Sequence, residues 1–449
     1  MNSTHPPLPP PRWLGIDLVR NRWIFPVCGA LMTTLGGAAY AFSVFIKPLE
    51  AEFGWARADT VMAFSACMLF FGLFMWAGGY FVDKFGPRIP FIIGGVLMAV
   101  SQILSSQIHS VWGLVLTYGV MLGAGLGLAY TSSTIALSAR WFPEKEKRGL
   151  AIGTSVFGFG IGALIAAPLW TAGIEAFGWR STYVITGVIF LVVLSILATI
   201  IRFPPDGYQF AEGKGWQPAT ENDLLTESKV TTNPTDFSFG EAFRNKFSWL
   251  TGLLFFLCIF GGLTTLSQLA PYAAQSLPQG IGLTGAGAAT VIMALSLFNG
   301  LGRPAWGAIS GKIGPKRALI GSQLAMVLGL IILAFAMDRT SVTAGAILVG
   351  FAFGGQLALN PVMATALFGA SYIARIYGFI FFLGFGLGGL LGPRVGGMIH
   401  DATQGYEWVF MTSAALSLVS AVLSAFFFPP WGKEKQVRSI SSLPPAANG

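Results

Sequence analysis

The chain has 449 residues, of which 54% are hydrophobic and only 10% are charged. Soluble globular chains carry about 25% charged residues, so the 27 basic and 19 acidic side chains are too few to cover a soluble surface of this size. This composition excludes a disordered chain, a collagen-like fibre and an ordinary cytosolic enzyme. It predicts an all-α polytopic membrane protein.

Apolar stretches begin after residues 1–21, a polar, proline-rich segment that we predict to be a disordered tail. About 20 apolar residues are needed for each membrane crossing. The N-terminal half, residues 22–203, contains six predicted spans, at 22–46, 59–82, 89–107, 112–138, 148–170 and 181–203.

Residues 204–246 are polar and too poor in apolar side chains for a core, so we predict a linker there and not a domain. The C-terminal half, residues 247–428, precedes a second tail at 429–449. Its six predicted spans are 247–274, 284–309, 317–336, 341–367, 372–397 and 408–428.

Basic residues are concentrated on one side of the predicted membrane. Of the 27, five fall in loops opposite the N-terminus and one, Arg303, lies inside a span, which leaves 21 on the side of the N-terminus. Because lysine and arginine accumulate in cytoplasmic segments, we expect both tails and the linker in the cytoplasm. The net charge of +8 is then a topology signal, and no nucleic-acid partner is expected.

Cofactor motifs are weak. The three cysteines and three histidines are scattered, which disfavours a disulfide framework or a metal site. The glycines at 384, 386 and 389 match a dinucleotide fingerprint, but they lie inside a span and indicate close helix packing instead. We expect no metal and no cofactor, and the candidate coupling ion is a proton.

The two halves contain an internal repeat. Residues 79–88 correspond to 307–316 at an offset of 228, residues 158–162 to 384–388 at 226, and Trp179 to Trp408 at 229. Parallel halves of this kind place a substrate site between them near the bilayer midplane.

These segments resemble the major facilitator superfamily and, within it, the oxalate/formate antiporter family, which is related to monocarboxylate transporters. The matching runs are 78–88, 139–143 with 148–150, 299–314 and 375–378. The resemblance covers all twelve predicted spans. It implies two pseudo-symmetric six-helix halves and a secondary transporter, not an enzyme.

Arg303 is the main candidate for substrate binding. A guanidinium at membrane depth costs about 2.5–3.5 kcal/mol, and Asp59, at one end of the second span, is the sole acidic residue within the predicted spans. An anionic substrate is therefore the expected partner, and the planar guanidinium matches a carboxylate. The position also matches the family's substrate-binding arginine. The alternative is an arginine satisfied by backbone carbonyls or water beside Pro304.

Asn299 lies one helical turn before Arg303 and is expected to hold its guanidinium or to contact substrate. Animal monocarboxylate transporters typically have an aspartate there that takes part in proton coupling, so that step is not carried over. Oxalate transport in the family uses a second cation, a lysine, at the position of Gly384. Its absence here favours a monoanion over a dianion.

The resemblance assigns further residues to the pocket. Tyr40 and Tyr130 match tyrosines that could donate hydrogen bonds to a carboxylate, and Gln268 is a further candidate in the seventh span. The pocket is expected to be less polar than that of the oxalate transporter at four positions: Phe159, Phe353, Leu357 and Phe381. Helix packing is the alternative for each aromatic residue.

A conformational gate is expected after the second span. Asp83 can accept hydrogen bonds from the next helix and pair with an arginine, for which Arg140 and Arg148 are candidates. The alternative is a topology signal alone, and Gly311 replaces Asp83 in the second copy. The expected gate residues are Gly79, Asp83, Lys84, Gly86, Arg88, Arg140 and Arg148.

The sequence thus predicts a secondary transporter of small organic anions, with monocarboxylates such as lactate or pyruvate as substrates. Proton symport and exchange both stay open. The rival functions are antiport of oxalate/formate or dicarboxylate anions and export of amphiphilic compounds. We expect a monomer in a bacterial cytoplasmic membrane, with substrate and lipid as its partners.

Overall fold

The computed structural model describes residues 12–204, 208–211, 215–218, 236–277 and 279–429. Residues 1–11 and 430–449 of the two expected tails, and most of the expected linker, lie outside the described residues. Two short strand pairs occur, Arg12–Trp13 with Ile16–Asp17 and Tyr208–Ala211 with Gly215–Pro218.

The N-terminal half contains spans 1 to 6. Span 1 runs through Ile24–Gly37, Ala38–Ala41 and Ser43–Phe53. Spans 2 and 3 are Arg57–Phe85 and Arg88–Ser105. Span 4 consists of Val111–Leu114, the π-helical Val115–Met121, Leu122–Ser133 and Ile135–Trp141. Spans 5 and 6 form Lys145–Ile200, which breaks at Gly178, where φ is 78° and ψ is 162°.

The C-terminal half follows a short helix, Phe239–Arg244. Spans 7 to 10 are Lys246–Ala274, Gly285–Ile313, Pro315–Ala334 and Arg339–Phe368. Span 11 consists of Ile373–Phe381, the π-helical Phe382–Gly386 and Leu387–Thr403, and span 12 is Tyr406–Phe427.

The twelve predicted spans are confirmed. Ten helices within the described residues are long and apolar enough to cross a membrane, and one of them, Lys145–Ile200, contains both span 5 and span 6. The twelfth is Gly285–Ile313, whose 29 residues extend over about 43 Å at 1.5 Å per residue.

Glycine contacts relate the two halves by pseudo-symmetry. Gly79 of span 2 packs against the backbone of Arg375 in span 11, and Gly307 of span 8 packs against the backbone of Gly149 in span 5. The paired positions differ by 228 and 226 residues, which are the offsets of the sequence repeat. A second such set joins Gly72 to Gly386 and Gly300 to Gly160.

These contacts bring the halves together from the end of the molecule that carries Asp83 to its middle. A Cβ atom at five of these glycines would collide with the opposing backbone, so the helices approach this closely because the residues are small: Gly72, Gly79, Gly149, Gly160 and Gly307.

The prediction of a disordered tail is wrong for residues 12–21. The strand pair is followed by the fully buried Leu18, and the Trp13 indole donates to the Thr199 hydroxyl at 2.9 Å. The carboxylate of Asp17 accepts hydrogen bonds from the next backbone amides. The polar composition of this segment predicted disorder because composition alone does not reveal that the segment packs against span 6.

Candidate functional site

Arg303 lies in the middle of span 8 and is only 1% exposed. Its Nη1 donates to the carbonyl of Val156 in span 5 at 2.7 Å, and its Nη2 donates to Asn299 Oδ1 at 3.3 Å. Gly153 of span 5 packs against the Arg303 carbonyl. The guanidinium therefore sits at the junction of the two halves, and Asn299 holds it as predicted from the helical spacing.

The guanidinium is incompletely satisfied. Its Nε is buried and has no hydrogen-bond partner, and none of the ion pairs among the described residues involves Arg303. A buried charge without a counter-ion is costly. The arrangement leaves one donor of a planar fork available to an anion.

Three tyrosines surround this cation. Tyr130 of span 4 forms a hydrogen bond with the Arg303 guanidinium, and Tyr40 of span 1 and Tyr377 of span 11 are close enough to interact with its charge. The hydroxyls of Tyr40 and Tyr377 are buried without a hydrogen-bond partner. Unpaired hydroxyls beside an unpaired guanidinium donor form a polar centre suited to a small anionic group.

An aromatic cage surrounds the polar centre. The Phe159 ring centroid lies 5.8 Å from the Arg303 guanidinium carbon and 5.1 Å from the Tyr40 ring. Phe71 of span 2 lies 5.5 Å from Phe159, 5.4 Å from Tyr130 and 5.1 Å from Phe381. Tyr40, Tyr130, Phe159 and Phe381 are thus brought together around Arg303.

Sequence reasoning missed Phe71 and Tyr377 as site residues. Tyr377 belongs to the family-like segment 375–378 but was not assigned to the pocket. The repeat could have located Phe71. Span 2 and span 8 are related by an offset of 228 residues, and at this offset Phe71 corresponds to Asn299.

Three other predicted residues lie in the C-terminal half. Phe353 and Leu357 are buried in span 10, where Phe353 packs against Gly262 of span 7 within the C-terminal half. Gln268 lies beside Gly397 of span 11. Their assignment to the substrate pocket stays a prediction.

Gly384 lies in the π-helical turn of span 11. A Cβ atom at this position would overlap the ring of Phe255 in span 7, which lies 6.1 Å from the Phe381 ring. π-turns often accompany functional sites because they redirect neighbouring side chains. Phe255 therefore fills the space beside Gly384 on the edge of the cage.

The gate region contains Asp83 between two arginines. Both carboxylate oxygens of Asp83 are buried without a hydrogen-bond partner, and the nearest cations are Arg140 of span 4 and Arg375 of span 11. Arg148, the other expected partner, instead donates to the carbonyls of Phe142 and Pro143. The expectation for Arg148 is therefore corrected, and Arg375 takes its place.

The remaining gate positions have separate surroundings. Gly79 packs on the Arg375 backbone, and the Lys84 ammonium lies over the rings of Tyr80 and Phe85. Gly86 ends span 2 with φ at 74°, a conformation that favours glycine. Arg88 is exposed at the start of span 3.

Comparison with known proteins matches this architecture. A family model for the Major Facilitator Superfamily matches residues 27–278 and 268–445. The oxalate:formate antiporter of Oxalobacter formigenes is 31% identical over 433 residues, which cover 95% of this chain and 96% of that protein. Monocarboxylate transporter 2 of Homo sapiens is 26% identical over 443 residues, 94% of this chain and 87% of that protein.

Solved structures show the same fold. The proton:xylose symporter XylE superimposes with a TM-score of 0.71 at 15% identity over 93% of this chain and 99% of that chain. The transporter FucP in the outward conformation superimposes with a TM-score of 0.65 at 16% identity, over 90% of this chain and 99% of that chain.

Two pseudo-symmetric six-helix halves that enclose a buried cation define a multi-pass membrane transporter and not an enzyme. The chain belongs to the Major Facilitator Superfamily. The resemblance to the oxalate/formate antiporter family that the sequence indicated is confirmed by the 31% identical relative.

Proposed function

We propose that the protein transports small organic anions, with monocarboxylates of the lactate and pyruvate type as its substrates. The observation that carries this proposal is Arg303, a cation buried to 1% exposure between the halves with an unpartnered Nε. A substrate carboxylate would pair with the charge and accept from the fork. The free hydroxyls of Tyr40 and Tyr377 would donate to it.

The pocket chemistry favours one carboxylate over two. Arg303 is the cation at the cage, and Phe255 packs against Gly384, where oxalate transport in the family uses a second cation. A dianion would keep one charge unpaired among Phe71, Phe159 and Phe381. The same rings suit a short apolar or keto-bearing tail.

Oxalate/formate exchange is the second candidate, supported by the 31% identity to the oxalate:formate antiporter over nearly the whole chain. Formate is itself a monocarboxylate, so a formate carrier is compatible with one cation. The two candidates differ in whether oxalate competes with lactate for the site.

Alternating access follows from the way the halves meet. Glycine contacts close the Asp83 end of the site, and separation of those contacts would open it. Asn299 cannot carry a proton, so a proton would travel with the substrate, or transport would run by exchange. We place both termini in the cytoplasm from the distribution of basic residues. We place the protein in a bacterial cytoplasmic membrane from its similarity to the oxalate:formate antiporter of Oxalobacter formigenes.

Uptake into proteoliposomes tests this proposal. Labelled lactate, pyruvate, formate and oxalate are supplied with and without a pH gradient, and with each unlabelled anion inside. We expect accumulation of the monocarboxylates and no accumulation of oxalate. Oxalate uptake driven by internal formate would replace monocarboxylate transport with the antiport candidate, and uptake of none of the four would reject both.

A further inference from the structure

The loop between spans 10 and 11 forms a nest of hydrogen-bond donors around one carboxylate oxygen. The amides of Ala370 and Ser371 each donate to Asp236 Oδ2 at 3.0 Å, and the Ser371 hydroxyl donates at 2.7 Å. Gly369 has φ at 87°, and a Cβ there would overlap the Asp236 carboxylate. Such a concave group of donors is a typical anion site, and here the chain supplies the anion.

Asp236 is anchored to the C-terminal half. The amide of the next residue, Phe237, donates to the Phe368 carbonyl at 2.9 Å, and the two rings pack edge to face at 5.5 Å. Phe237 is only 4% exposed. Asp236 therefore stays on the loop as a fixed part of this half.

The same loop makes a contact across the two halves. The Ser371 carbonyl accepts a hydrogen bond from Arg140 of span 4 at 2.8 Å. The Arg140 guanidinium also stacks on Phe203, 3.9 Å from its ring centroid, where the chain leaves span 6. Ser371 thus binds Asp236 through its amide and hydroxyl, and Arg140 through its carbonyl.

We propose that Asp236 is a positioning residue for the transport cycle. It orients the 369–371 loop so that the Ser371 carbonyl meets Arg140, and it thereby stabilises the state that is closed at the Asp83 end. When the halves part at this end, the Arg140 bond breaks while Asp236 stays with the C-terminal half. Removing Asp236 leaves three donors without an acceptor and frees the turn at Gly369, which weakens the closed state selectively.

Distances between spin labels at Lys147 and Arg317 test this proposal. Both residues are exposed on the Asp83 side, one in each half, and the three native cysteines are buried. We expect Asp236→Ala to raise the ratio of open to closed populations at this end by about tenfold, the scale of a lost charge-assisted hydrogen bond. Asp236→Asn, which keeps an acceptor oxygen, should restore part of the closed population.

Two comparisons separate positioning from general destabilisation. Asp338→Ala removes the aspartate that caps the opposite end of span 10 and should leave the distance distribution unchanged. Asp236 also acts through its charge on Arg148 of span 5, so the background for this comparison is Arg140→Gln with Arg148→Gln. In that background Asp236→Ala should add little, because both cations of the N-terminal half are already lost. An unchanged distribution in folded Asp236→Ala, or an equal shift in the Arg140→Gln, Arg148→Gln background, would overturn the proposal.

Discussion

Arg303 combines properties that rarely occur together: it is charged, lies in the middle of a span and keeps an unpartnered donor. The Val156 carbonyl and Asn299 satisfy two of its nitrogens. These partners are neutral, so they orient the guanidinium without cancelling its charge. The charge is therefore available to a substrate that enters between the halves.

Replacing Arg303 by lysine keeps the charge and removes the fork. We expect carboxylate binding to weaken by about 1.5–3 kcal/mol, the range for a hydrogen bond to a charged group. Arg303→Ala should abolish binding and leave the protein folded, since an uncompensated buried charge is removed. Calorimetric titration of lactate checks both, with exposed Lys312→Ala on the same span as the matched control. Full binding by folded Arg303→Ala would show that the site lies elsewhere.

A second cation at position 384 requires space that Phe255 now fills. Gly384→Lys by itself should bind oxalate poorly because the lysine stem collides with the Phe255 ring. The double variant Gly384→Lys with Phe255→Ala should gain oxalate affinity by about tenfold, as expected for one added charge contact. Competition between labelled lactate and unlabelled oxalate measures the shift. Phe255→Ala alone is the control, and equal gains in both variants would contradict a charge effect.

The sequence predicted this site unevenly, for physical reasons. Arg303 is identifiable because a cation inside an apolar span is costly, and Asn299 follows from its four-residue spacing. The assignment of Phe353 and Gln268 to the pocket does not follow from such a signal and stays a prediction. A span that is apolar on every face carries no periodic signal for its rotation, so the contacts of such residues depend on packing that the sequence does not display.

At the scale of elements, hydropathy located all twelve spans but not their full lengths. Span 1 was predicted to end at residue 46, whereas its helix continues to Phe53. The extension carries Lys47, Glu50 and Glu52, so it leaves the apolar layer while staying helical. Hydropathy detects the apolar part of a helix and not its polar extension, so the predicted end falls before the end of the helix.

This extension is hydrogen-bonded to the start of span 6. Arg180 donates to Glu52 Oε1 at 2.5 Å and the Trp179 indole donates to Oε2 at 2.7 Å, directly after the break at Gly178. These hydrogen bonds, that from Arg180 foremost, lower the pKa of Glu52. This contact gives a structural reason for Trp179 after the break at Gly178. The sequence repeat showed the position of the tryptophan but not its role.

The lowered pKa of Glu52 makes this contact sensitive to acid. A carboxyl group with a lower pKa in the folded state stabilises the fold above its unfolded pKa, about 4.3, and loses that contribution as the pH falls through its folded pKa. We expect Glu52→Gln to lower the melting temperature at pH 7 and to reduce its fall below about pH 4.3. Exposed Glu175→Gln is the control, and parallel pH profiles for wild type and Glu52→Gln would rule out this linkage.

At the scale of the whole molecule, the distribution of basic residues predicts the orientation in the membrane. A single cysteine at Ser276, in the exposed turn after span 7, should react with an impermeant reagent added outside intact cells. A cysteine at Ser228 should react only after permeabilisation. The buried native cysteines contribute little background. Labelling of Ser228 in intact cells would reverse the proposed orientation.

The Asp83 end couples the halves through charge as well as through glycine packing. Asp83 and Arg140 belong to the N-terminal half, whereas Arg375 belongs to the C-terminal half, so the attraction between Asp83 and Arg375 exists only while this end is closed. In the second copy of the motif, Gly311 packs against the Glu146 backbone with no carboxylate. The electrostatic contact therefore occurs once, although the fold is pseudo-symmetric.

Asp83→Asn should consequently slow transport without unfolding the protein. The amide keeps the shape of the side chain but loses the charge that holds Arg375, so the closed state is weakened and return of the carrier becomes slower. We expect the turnover rate to fall by about tenfold, while lactate affinity at the distant Arg303 site changes by less than about twofold. Lys312→Gln is the control because Lys312 is exposed at the end of span 8 and is not one of the expected gate residues. Wild-type turnover in Asp83→Asn proteoliposomes would reduce Asp83 to a marker of membrane topology.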